Sequence, residues 1–247
     1  MFNNAGCIVA ILAGGLGTRI QSVLSHLPKA LAPINGKPFL FLQLEKLQLL
    51  GVKKVVLLTG YKHEEIVEAC GDGSKWDLKI IYSREDSPLG TAGAVKNAEA
   101  ILSNFENFIL LNGDTFYDFS LYNFLEAPLD TAVLGLIGVV ADSSKNLGEK
   151  HFAQAGSIDL DKNHFVTAFA EKPTVAHKFL NAGIYKFSKQ LLNYIPDNVV
   201  CSLEEEIFPQ LIDKNILLQG YIFSNNFYDI GTPEKYKTFT HFIKENE

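Results

Sequence analysis

Residues 7–20, CIVAILAGGLGTRI, join an apolar run to a glycine-rich turn. The apolar part, residues 7–13, is typical of a buried β-strand. The three glycines that follow allow the backbone to approach a ligand closely, and such turns often bind phosphate. In open α/β sheets, ligands bind beyond the carboxyl ends of the strands, which is where this turn stands. The stretch therefore predicts an α/β fold with an anion site near its N-terminus.

The turn differs from both common phosphate-binding templates. A dinucleotide-binding G-x-G-x-x-G motif would need a third glycine after Gly17, and a Walker loop would need a lysine directly after it. The chain instead offers Arg19 and, in the dipeptide Pro28-Lys29, a second cation. Backbone N–H groups and these two charges would suit a phosphate. A tight turn with two solvated cations is the alternative at this point.

The rest of the first half alternates apolar runs with amphipathic segments. Strands are predicted for residues 52–59, 78–83 and 107–112, and helices for residues 38–51, 62–71 and 91–102. Near-continuous apolar strands separated by helices indicate a parallel sheet that is covered on both faces. The first half is therefore predicted to be a doubly wound α/β unit.

The second half has shorter connections and a more antiparallel character. Strands are predicted for residues 132–140, 156–161, 164–171, 181–188 and 216–224, and helices for residues 202–215 and 232–246. Ser202 is the expected N-cap of the first of these helices, with Glu205 placed to close a capping box. Neither a linker nor a fixed-period repeat interrupts the sequence. We expect one domain over residues 1–247, with halves of about 1–130 and 131–247.

Composition narrows the class of protein. The 247 residues are 47% hydrophobic and carry a formal net charge of -6, which disfavours nucleic acid as a partner. The three scattered cysteines indicate reduced thiols rather than disulfides or a zinc site. The N-terminus does not resemble a signal peptide, and the longest apolar runs are too short to span a bilayer. A cytoplasmic protein without a membrane partner is expected.

Two aspartates stand at predicted strand ends. Asp114 follows a buried strand in LLNGDTF, and Asp229 precedes a helix in FYDIGTPEKY. A carboxylate at such a place should face a cation or a metal. Asp229 could alternatively be a turn residue, although Thr232 before Pro233 is the better helix cap. Opposite a glycine turn with Arg19 and Lys29, the two carboxylates predict a Mg²⁺-phosphate site.

With these residues together, the chain resembles the sugar-1-phosphate nucleotidyltransferases. LAGGLGTRI with PKALAPINGKP is similar to that family's G-G-x-G-[ST]-R … P-K-x-x-x-P signature. The matching pieces follow in order along nearly the whole chain: SPLGTAGAV, NGD, GSIDLD, EKP, NAGIY and DIGTPEKY. The resemblance implies a Rossmann-like, doubly wound, mixed and mainly parallel sheet with a smaller antiparallel sugar-binding subregion, the nucleotide-diphospho-sugar transferase fold.

The resemblance also implies roles for individual residues. Catalysis would fall to Arg19, Lys29, Asp114 and Lys172, and Mg²⁺ to Asp114 and Asp229. The nucleotide-binding residues would be Leu12, Ala13, Gly14, Gly15, Gly17, Thr18, Arg19, Glu85, Pro88, Gly90, Thr91, Asn112 and Gly113. The sugar-binding residues would be Gly156, Glu171, Lys172, Asn181 and Gly183, with Lys172 paired to the sugar's phosphate.

The base-side loop PLGTAGA resembles that of guanylyltransferases for mannose- or heptose-type phosphates. Guanine offers N1–H and N2–H₂ donors, and Glu85 or Asp86 could accept them; two solvated acids are the alternative. The expected reaction joins GMP from GTP to a sugar-1-phosphate, D-glycero-D-manno-heptose first and mannose second, with release of pyrophosphate. The sequence leaves room for a homodimer.

Two departures from the family pattern bear on the sugar. Ala155 stands where an aromatic residue often precedes Gly156, and residues 142–154 fit poorly. The identity of the sugar therefore stays open, and a uridylyl- or thymidylyltransferase for another hexose is an alternative. A non-catalytic nucleotide-sugar sensor is a further alternative, although it would be expected to lack Arg19, Lys29, Asp114 or Asp229, and all four are present. A retaining glycosyltransferase would want a D-x-D motif where this chain has NGD, and a dinucleotide oxidoreductase lacks its third glycine.

Overall fold

The computed structural model describes residues 6–24, 26–141, 156–171, 178–224 and 227–246. The strands in this part of the chain are β1 (Cys7–Leu12), β2 (Pro33–Ile34), β3 (Lys37–Pro38), β4 (Lys54–Thr59), β5 (Lys79–Arg84), β6 (Asn107–Asn112), β7 (Thr115–Tyr117), β8 (Gly135–Ala141), β9 (Ser157–Leu160), β10 (Val166–Ala170), β11 (Phe179–Ser188), β12 (Leu218–Phe223) and β13 (Phe227–Asp229). The α-helices are α1 (Gln21–Leu24), α2 (Phe39–Leu49), α3 (His63–Cys70), α4 (Gly90–Asn97), α5 (Glu99–Leu102), α6 (Tyr122–Glu126), α7 (Phe208–Asp213) and α8 (Pro233–Asn246). Short 3₁₀ helices span Lys29–Leu31, Ser74–Trp76 and Lys189–Tyr194, and a π-helical turn spans Leu203–Ile207.

Nine of the described strands form one mixed sheet. Its parallel part has the order β5-β4-β1-β6, and β11 then pairs antiparallel with β6. The long strand β11 also pairs with β8, which is followed by β12, and with β9, which leads to β10. The mixed, mainly parallel α/β class and its smaller antiparallel part are confirmed. Strands from both halves share this sheet, and the single domain stays a prediction.

Helices cover both faces of the parallel strands, because successive side chains point to opposite sides. Val9 and Ile11 of β1 pack on one face with Leu44 of α2, in a cluster that also takes in residues of β4 and β6. Ile8 and Ala10 pack on the other face with residues of α4 and α7. This explains why the β1 sequence is apolar at nearly every position rather than at alternate ones.

A third apolar cluster packs the last helix, α8, beside the N-terminal turn. Its buried members include Ile20, which follows that turn, Phe39 of α2, and Ile230 and Phe239 from the C-terminal part. The rings of Phe39 and Phe239 meet edge to face with centroids 5.5 Å apart. Burial of this kind brings residues 229–235 next to residues 14–20, although more than two hundred positions separate them in the sequence.

Two local predictions are corrected by the structure. The helix predicted over residues 91–102 is two short helices, α4 and α5, that meet at Ala98. The capping box at Ser202 is closed by Glu206 rather than by Glu205, because the Ser202 N–H donates to Glu206 Oε1 at 2.9 Å. The first turn here is π-helical, with Ile207 N–H donating to the carbonyl of Ser202. In this wider turn Glu206, the fourth residue after Ser202, is the one whose carboxylate reaches the Ser202 N–H.

Other local predictions hold. The Ser202 hydroxyl accepts from the backbone N–H groups of Glu204 and Glu205, as an N-cap should. Thr232 caps α8 by accepting from the Lys235 N–H at 3.3 Å. Among the described residues, none of the helices is long and apolar enough to cross a membrane.

Candidate active site

A cavity of about 420 Å³ opens at the carboxyl ends of the parallel strands. Its walls come from the ends of β1 and β6, from the turn after β1, and from the loop between β5 and α4. All the residues predicted to bind the nucleotide line it: Leu12, Ala13, Gly14, Gly15, Gly17, Thr18, Arg19, Glu85, Pro88, Gly90, Thr91, Asn112 and Gly113. Lys29, Asp114 and Gly231 line the same cavity. The structure thus brings these residues together, and their binding roles stay predictions.

The turn after β1 presents unused backbone donors to this cavity. Within the part of the chain that the structure describes, no N–H of residues 14–18 donates a hydrogen bond. By contrast, the Ala13 N–H donates to the carbonyl of Leu58, and the Ile20 N–H to the carbonyl of Gly17. A run of unpaired N–H groups beside cationic side chains is an anion-binding arrangement.

Lys29 forms an ion pair with Asp114 at the bottom of the cavity. Its Nζ lies 2.5 Å from Asp114 Oδ2, and both side chains are about four-fifths buried. Burial alone would raise the pKa of Asp114, but the Lys29 charge, the Thr115 hydroxyl and Lys235 together hold that pKa below its ordinary value. Asp114 is therefore ionised and carries a negative charge next to the predicted phosphate site.

Asp229 approaches Asp114 through the pairing of two short strands. Asp229 is opposite Thr115 in the β13–β7 pair, and the Ile230 N–H donates to the carbonyl of Asp114. A Cβ on Gly231 would lie 3.0 Å from Asp229 Oδ1 and 3.7 Å from both Asp114 Oδ2 and Arg19 Nη2. The two carboxylates and the guanidinium therefore face the same small space. Asp229 also stabilises the turn that follows it, because its Oδ1 accepts a hydrogen bond from the Gly231 N–H at 3.0 Å.

Lys235 is a site residue that the sequence analysis missed. Its Nζ lies 2.6 Å from Asp229 Oδ2, and the side chain is largely buried. Each acidic residue of the pair thus has its own lysine, Lys29 for Asp114 and Lys235 for Asp229. One signal could have identified it: a lysine in the first turn of a helix opposes the helix dipole and needs a specific anionic partner.

The loop before α4 carries two acids, and only one faces the cavity. Glu85 is buried, lines the cavity wall and accepts from the Leu89 N–H at 3.2 Å. Its carboxylate fits because Gly14 and Gly60 lack side chains: a Cβ on either glycine would lie within 3.0 Å of Glu85 Oε1. Burial raises the pKa of Glu85, and the Leu89 N–H partly opposes that. The Asp86 side chain, in contrast, is fully exposed.

The described residues predicted to bind the sugar lie together beyond Asn112. The Asn181 N–H donates to the carbonyl of Gly156 at 2.7 Å, and a Cβ on Gly156 would lie 2.7 Å from Glu171 Oε2. Gly183 lies in an irregular part of β11 with φ +65°, and a Cβ there would lie 2.5 Å from Asn112 Nδ2. This group therefore reaches the nucleotide cavity at Asn112. Lys172, Ala155 and residues 142–154 lie outside the described residues.

Comparison with known proteins places the chain in a family. The sequence model of the nucleotidyl transferase family matches residues 8–246, so this protein belongs to that family. It is 38% identical over 229 residues to the D-glycero-α-D-manno-heptose 1-phosphate guanylyltransferase of Campylobacter jejuni, covering 93% of this chain and 96% of that relative. It is 32% identical to the mannose-1-phosphate guanylyltransferase of Mycobacterium tuberculosis, over 92% of this chain and 61% of that one.

A solved structure extends the similarity to three dimensions. HddC from Yersinia pseudotuberculosis, complexed with GMP-PN, superposes with a TM-score of 0.80 and 31% identity. The match covers 98% of this chain and 100% of that one. The family resemblance and the nucleotide-diphospho-sugar transferase fold that the sequence predicts are thereby confirmed.

Proposed function

We propose that this protein transfers GMP from GTP to D-glycero-α-D-manno-heptose 1-phosphate and releases pyrophosphate. The observation that supports it best is the cavity whose lining brings together the glycine turn, Lys29 and Asp114, with the Asp229 carboxylate beside it at Gly231. The similarity to heptose 1-phosphate guanylyltransferases along nearly the full length of both chains supports the sugar and the base. Mannose 1-phosphate is the second candidate substrate.

Glu85 is the side chain that we propose reads guanine. An ionised carboxylate can accept two parallel hydrogen bonds, and the guanine N1–H and N2–H₂ groups form such a donor pair. Uracil and thymine offer only one ring N–H, flanked by carbonyl oxygens that a buried carboxylate would repel. The position of Glu85 in the cavity wall supports this role, and the exposure of Asp86 leaves that residue out of it.

The reaction needs charge neutralisation more than it needs a base. A sugar-phosphate oxygen attacks the α-phosphorus in line, the new P–O bond forms, and the bond to the β-phosphate bridging oxygen breaks. The nucleophile is already anionic, so the barrier comes from repulsion between two anions. We propose that Lys29 lies beside the phosphates under attack, while Arg19 and the N–H groups of residues 14–18 hold the departing pyrophosphate. Lys172 would pair with the sugar's phosphate.

Asp114 and Asp229 are the proposed ligands of Mg²⁺. They fit this ion in number and kind, because Mg²⁺ usually takes one or two protein carboxylates and completes its shell with phosphate oxygens and water. In the described residues no group of three or more His, Cys, Asp or Glu could hold a metal alone, so binding here would depend on the nucleotide. When bound, Mg²⁺ supplies positive charge at the α-phosphate. Lys29 and Lys235 would exchange their carboxylate partners for phosphate and solvent.

The experiment that tests the activity is a substrate panel. GTP, UTP, dTTP and CTP are each combined with heptose, mannose and glucose 1-phosphates, and pyrophosphate release is measured. We expect the fastest turnover with GTP and the heptose phosphate. A clear preference for UTP or dTTP would remove the guanylyltransferase proposal, and binding without any turnover would favour a nucleotide-sugar sensor.

A matched nucleotide comparison isolates the role of Glu85. ITP lacks the 2-amino group of guanine and keeps N1–H, so GTP should be preferred over ITP by roughly tenfold, the value of one hydrogen bond to a charged group. In Glu85→Gln this preference should shrink, whereas in Asp86→Asn it should not change. An unchanged GTP-to-ITP ratio in Glu85→Gln would show that another group reads the base.

We further propose that the protein works in the cytoplasm. Its three cysteines, Cys7, Cys70 and Cys201, are free, and burial raises the pKa of the Cys7 and Cys70 thiols to about 11. Such thiols suit a reducing compartment. A homodimer is a separate proposal that light scattering of the purified protein would test.

A further inference from the structure

A buried carboxylate outside the cavity, that of Glu204, receives hydrogen bonds from three hydroxyl groups. Thr91 Oγ1 donates to its Oε2 at 2.6 Å, Ser202 Oγ donates to the same oxygen at 3.0 Å, and the Tyr185 hydroxyl donates to Oε1 at 3.2 Å. Glu204 itself is 8% exposed. It lies in the π-helical turn before α7, and turns of this kind often occur at functional sites.

The directions of these hydrogen bonds are fixed by chemistry. A carboxylate only accepts, so all three hydroxyls must donate to it. Burial and the Glu204 charge raise the pKa of Tyr185 well above its ordinary value, so this phenol keeps its proton. Because Tyr185 donates that proton to a hydrogen bond with Glu204, the Tyr185 oxygen accepts from Asn181 Nδ2 at 2.7 Å. The Asn181 amide oxygen then faces the Gly183 N–H at 3.1 Å. The orientation of the Asn181 amide is thus set from both ends.

The same turn holds the base-side loop. The Cys201 N–H donates to the carbonyl of Leu89, and the carbonyl of Cys201 accepts from the Ala92 and Gly93 N–H groups. Thr91, which lines the cavity, accepts from the Leu203 N–H at 2.8 Å while it donates to Glu204. Gly90 has φ +76°, and a Cβ there would lie 2.5 Å from the carbonyl oxygen of Cys201. The base-side loop therefore cannot shift unless the turn that begins at Cys201 shifts with it.

We propose that Glu204 is a positioning residue that couples the two substrate sites, holding Thr91 on the nucleotide side and, through Tyr185, the amide of Asn181 on the sugar side. This inference rests on the proposed function, in which Asn181 contacts the sugar. Asn181 uses one N–H and one amide-oxygen lone pair in the bonds above, which leaves one donor and one acceptor for sugar hydroxyls. Their direction depends on which way the amide is turned, and Glu204, through Tyr185, sets that together with the Gly183 N–H.

Replacement of Glu204 by glutamine tests the directions, because the shape is kept and one acceptor becomes a donor. If the new amide nitrogen faces Tyr185, the phenol proton must turn toward Asn181, and that amide must flip away from the Gly183 N–H. If the new amide nitrogen faces Thr91 and Ser202 instead, a donor then faces the two hydroxyl donors on the nucleotide side. Tyr185→Phe removes the hydroxyl that joins Glu204 to Asn181, leaves the Thr91 bond to Glu204 in place, and keeps the ring, whose stacking on Phe187 is apolar.

The experiment measures KM for the sugar phosphate and KM for GTP separately in folded protein. We expect Glu204→Gln to raise the sugar-phosphate KM by roughly tenfold, with a rise in the GTP KM as well, and Tyr185→Phe to raise the sugar-phosphate KM alone by roughly fivefold. Glu206→Gln is the matched control, because its carboxylate lies in the same turn but caps Ser202 at the surface. It should leave both KM values as they are.

Two outcomes separate the inference from the proposed function. A lower melting temperature in Glu204→Gln and Tyr185→Phe with wild-type KM values would mean that the network is only structural, and the inference would be wrong. An inactive wild-type protein would instead overturn the proposed function. In that case calorimetry with a non-hydrolysable GTP analogue still decides the nucleotide-side coupling: weaker binding by Glu204→Gln than by Glu206→Gln supports it, and equal binding refutes it.

Discussion

Asp114 and Lys29 show how a single ion pair can prepare a site for an anionic ligand. The lysine holds the carboxylate in its ionised form, and the carboxylate keeps the lysine at the cavity floor. In the proposed function both charges would gain a new partner when a nucleotide enters, because phosphate oxygens suit Lys29 and a divalent ion suits Asp114. The pair at Asp229 and Lys235 repeats the arrangement beside Gly231.

Asp114→Asn should reduce kcat by more than about a hundredfold, because an amide is a poor ligand for Mg²⁺ and leaves Lys29 without its partner. The measurement is pyrophosphate release together with a thermal melt, which should change little. Asp118→Asn removes the same charge from an exposed position four residues away and should be close to wild type. Near-normal turnover in Asp114→Asn would mean that the metal site is assigned wrongly.

Lys29→Ala should lower kcat by roughly 10²–10³, the usual effect of removing one preorganised donor at a developing charge. Lys37→Ala is the control, because Lys37 forms a surface ion pair with Glu45 and does not line the cavity. Steady-state kinetics of both variants at saturating GTP gives the comparison. A loss confined to KM would argue that Lys29 binds substrate without assisting the chemical step.

The pH dependence of GTP binding should follow Glu85. Its pKa is raised in the folded protein, so its proton returns at a higher pH than that of an ordinary glutamate. As pH falls through this raised pKa, the carboxylate loses its charge and one acceptor, and GTP binding should weaken. Calorimetry at a series of pH values would show this trend in the wild type and a flatter one in Glu85→Gln. Parallel profiles for the two proteins would contradict the prediction.

Helix α8 determines where the C-terminal part of the site lies. It begins at Pro233, three residues before Tyr236, and its buried Phe239 packs against Phe39 and Phe116. The helix contributes Lys235 directly and supports the strand that ends at Asp229. The position of these two charges therefore depends on an apolar cluster whose buried members do not line the cavity.

Phe239→Ala should destabilise the protein by about 3–5 kcal/mol, the usual cost of deleting a buried aromatic ring. The free energy of unfolding from urea titration measures this. His241→Ala on the exposed side of the same helix should change stability by less than about 0.5 kcal/mol. We also expect the folded Phe239→Ala protein to lose affinity for Mg²⁺-nucleotide. Unchanged affinity would show that β13 holds Asp229 without help from α8.

At the scale of the whole molecule, the cavity draws on residues from both ends of the chain, from Leu12 to Gly231. Ligands that bind only the folded state stabilise it by mass action, by about 2.7 kcal/mol at one hundred times Kd. For a chain of this size, Mg²⁺ and GTP at that concentration should raise Tm by roughly 5–10 °C. UTP at equal concentration should give a smaller shift, and a chelator should reduce the GTP effect. Equal shifts with UTP and GTP would speak against guanine selectivity.

Much of the site is readable from the sequence because it is local. The glycine turn after β1, the NGD segment after β6 and the loop before α4 each follow a strand directly, and parallel strands bring their carboxyl ends to one edge. The positions of strands and helices can also be predicted from hydrophobic periodicity, because that too is a local property of the sequence. The helix break at Ala98 and the π-helical turn after Ser202 are not predicted by local patterns. Both depend on packing against residues elsewhere in the chain.

By itself the sequence determined the α/β class, the longer strands and helices and most of the residues that line the cavity, because periodicity and motif spacing depend on near neighbours. Only the tertiary structure decided that Glu85 rather than Asp86 faces the cavity, that Lys235 pairs with Asp229, and that Glu204 bonds to both Thr91 and Tyr185. Glu204 and Thr91 are distant in the chain, Lys235 lies six residues from its partner, and Glu85 and Asp86 are adjacent but oppositely directed. The packing of helices onto the sheet sets such distances, and no local pattern encodes them.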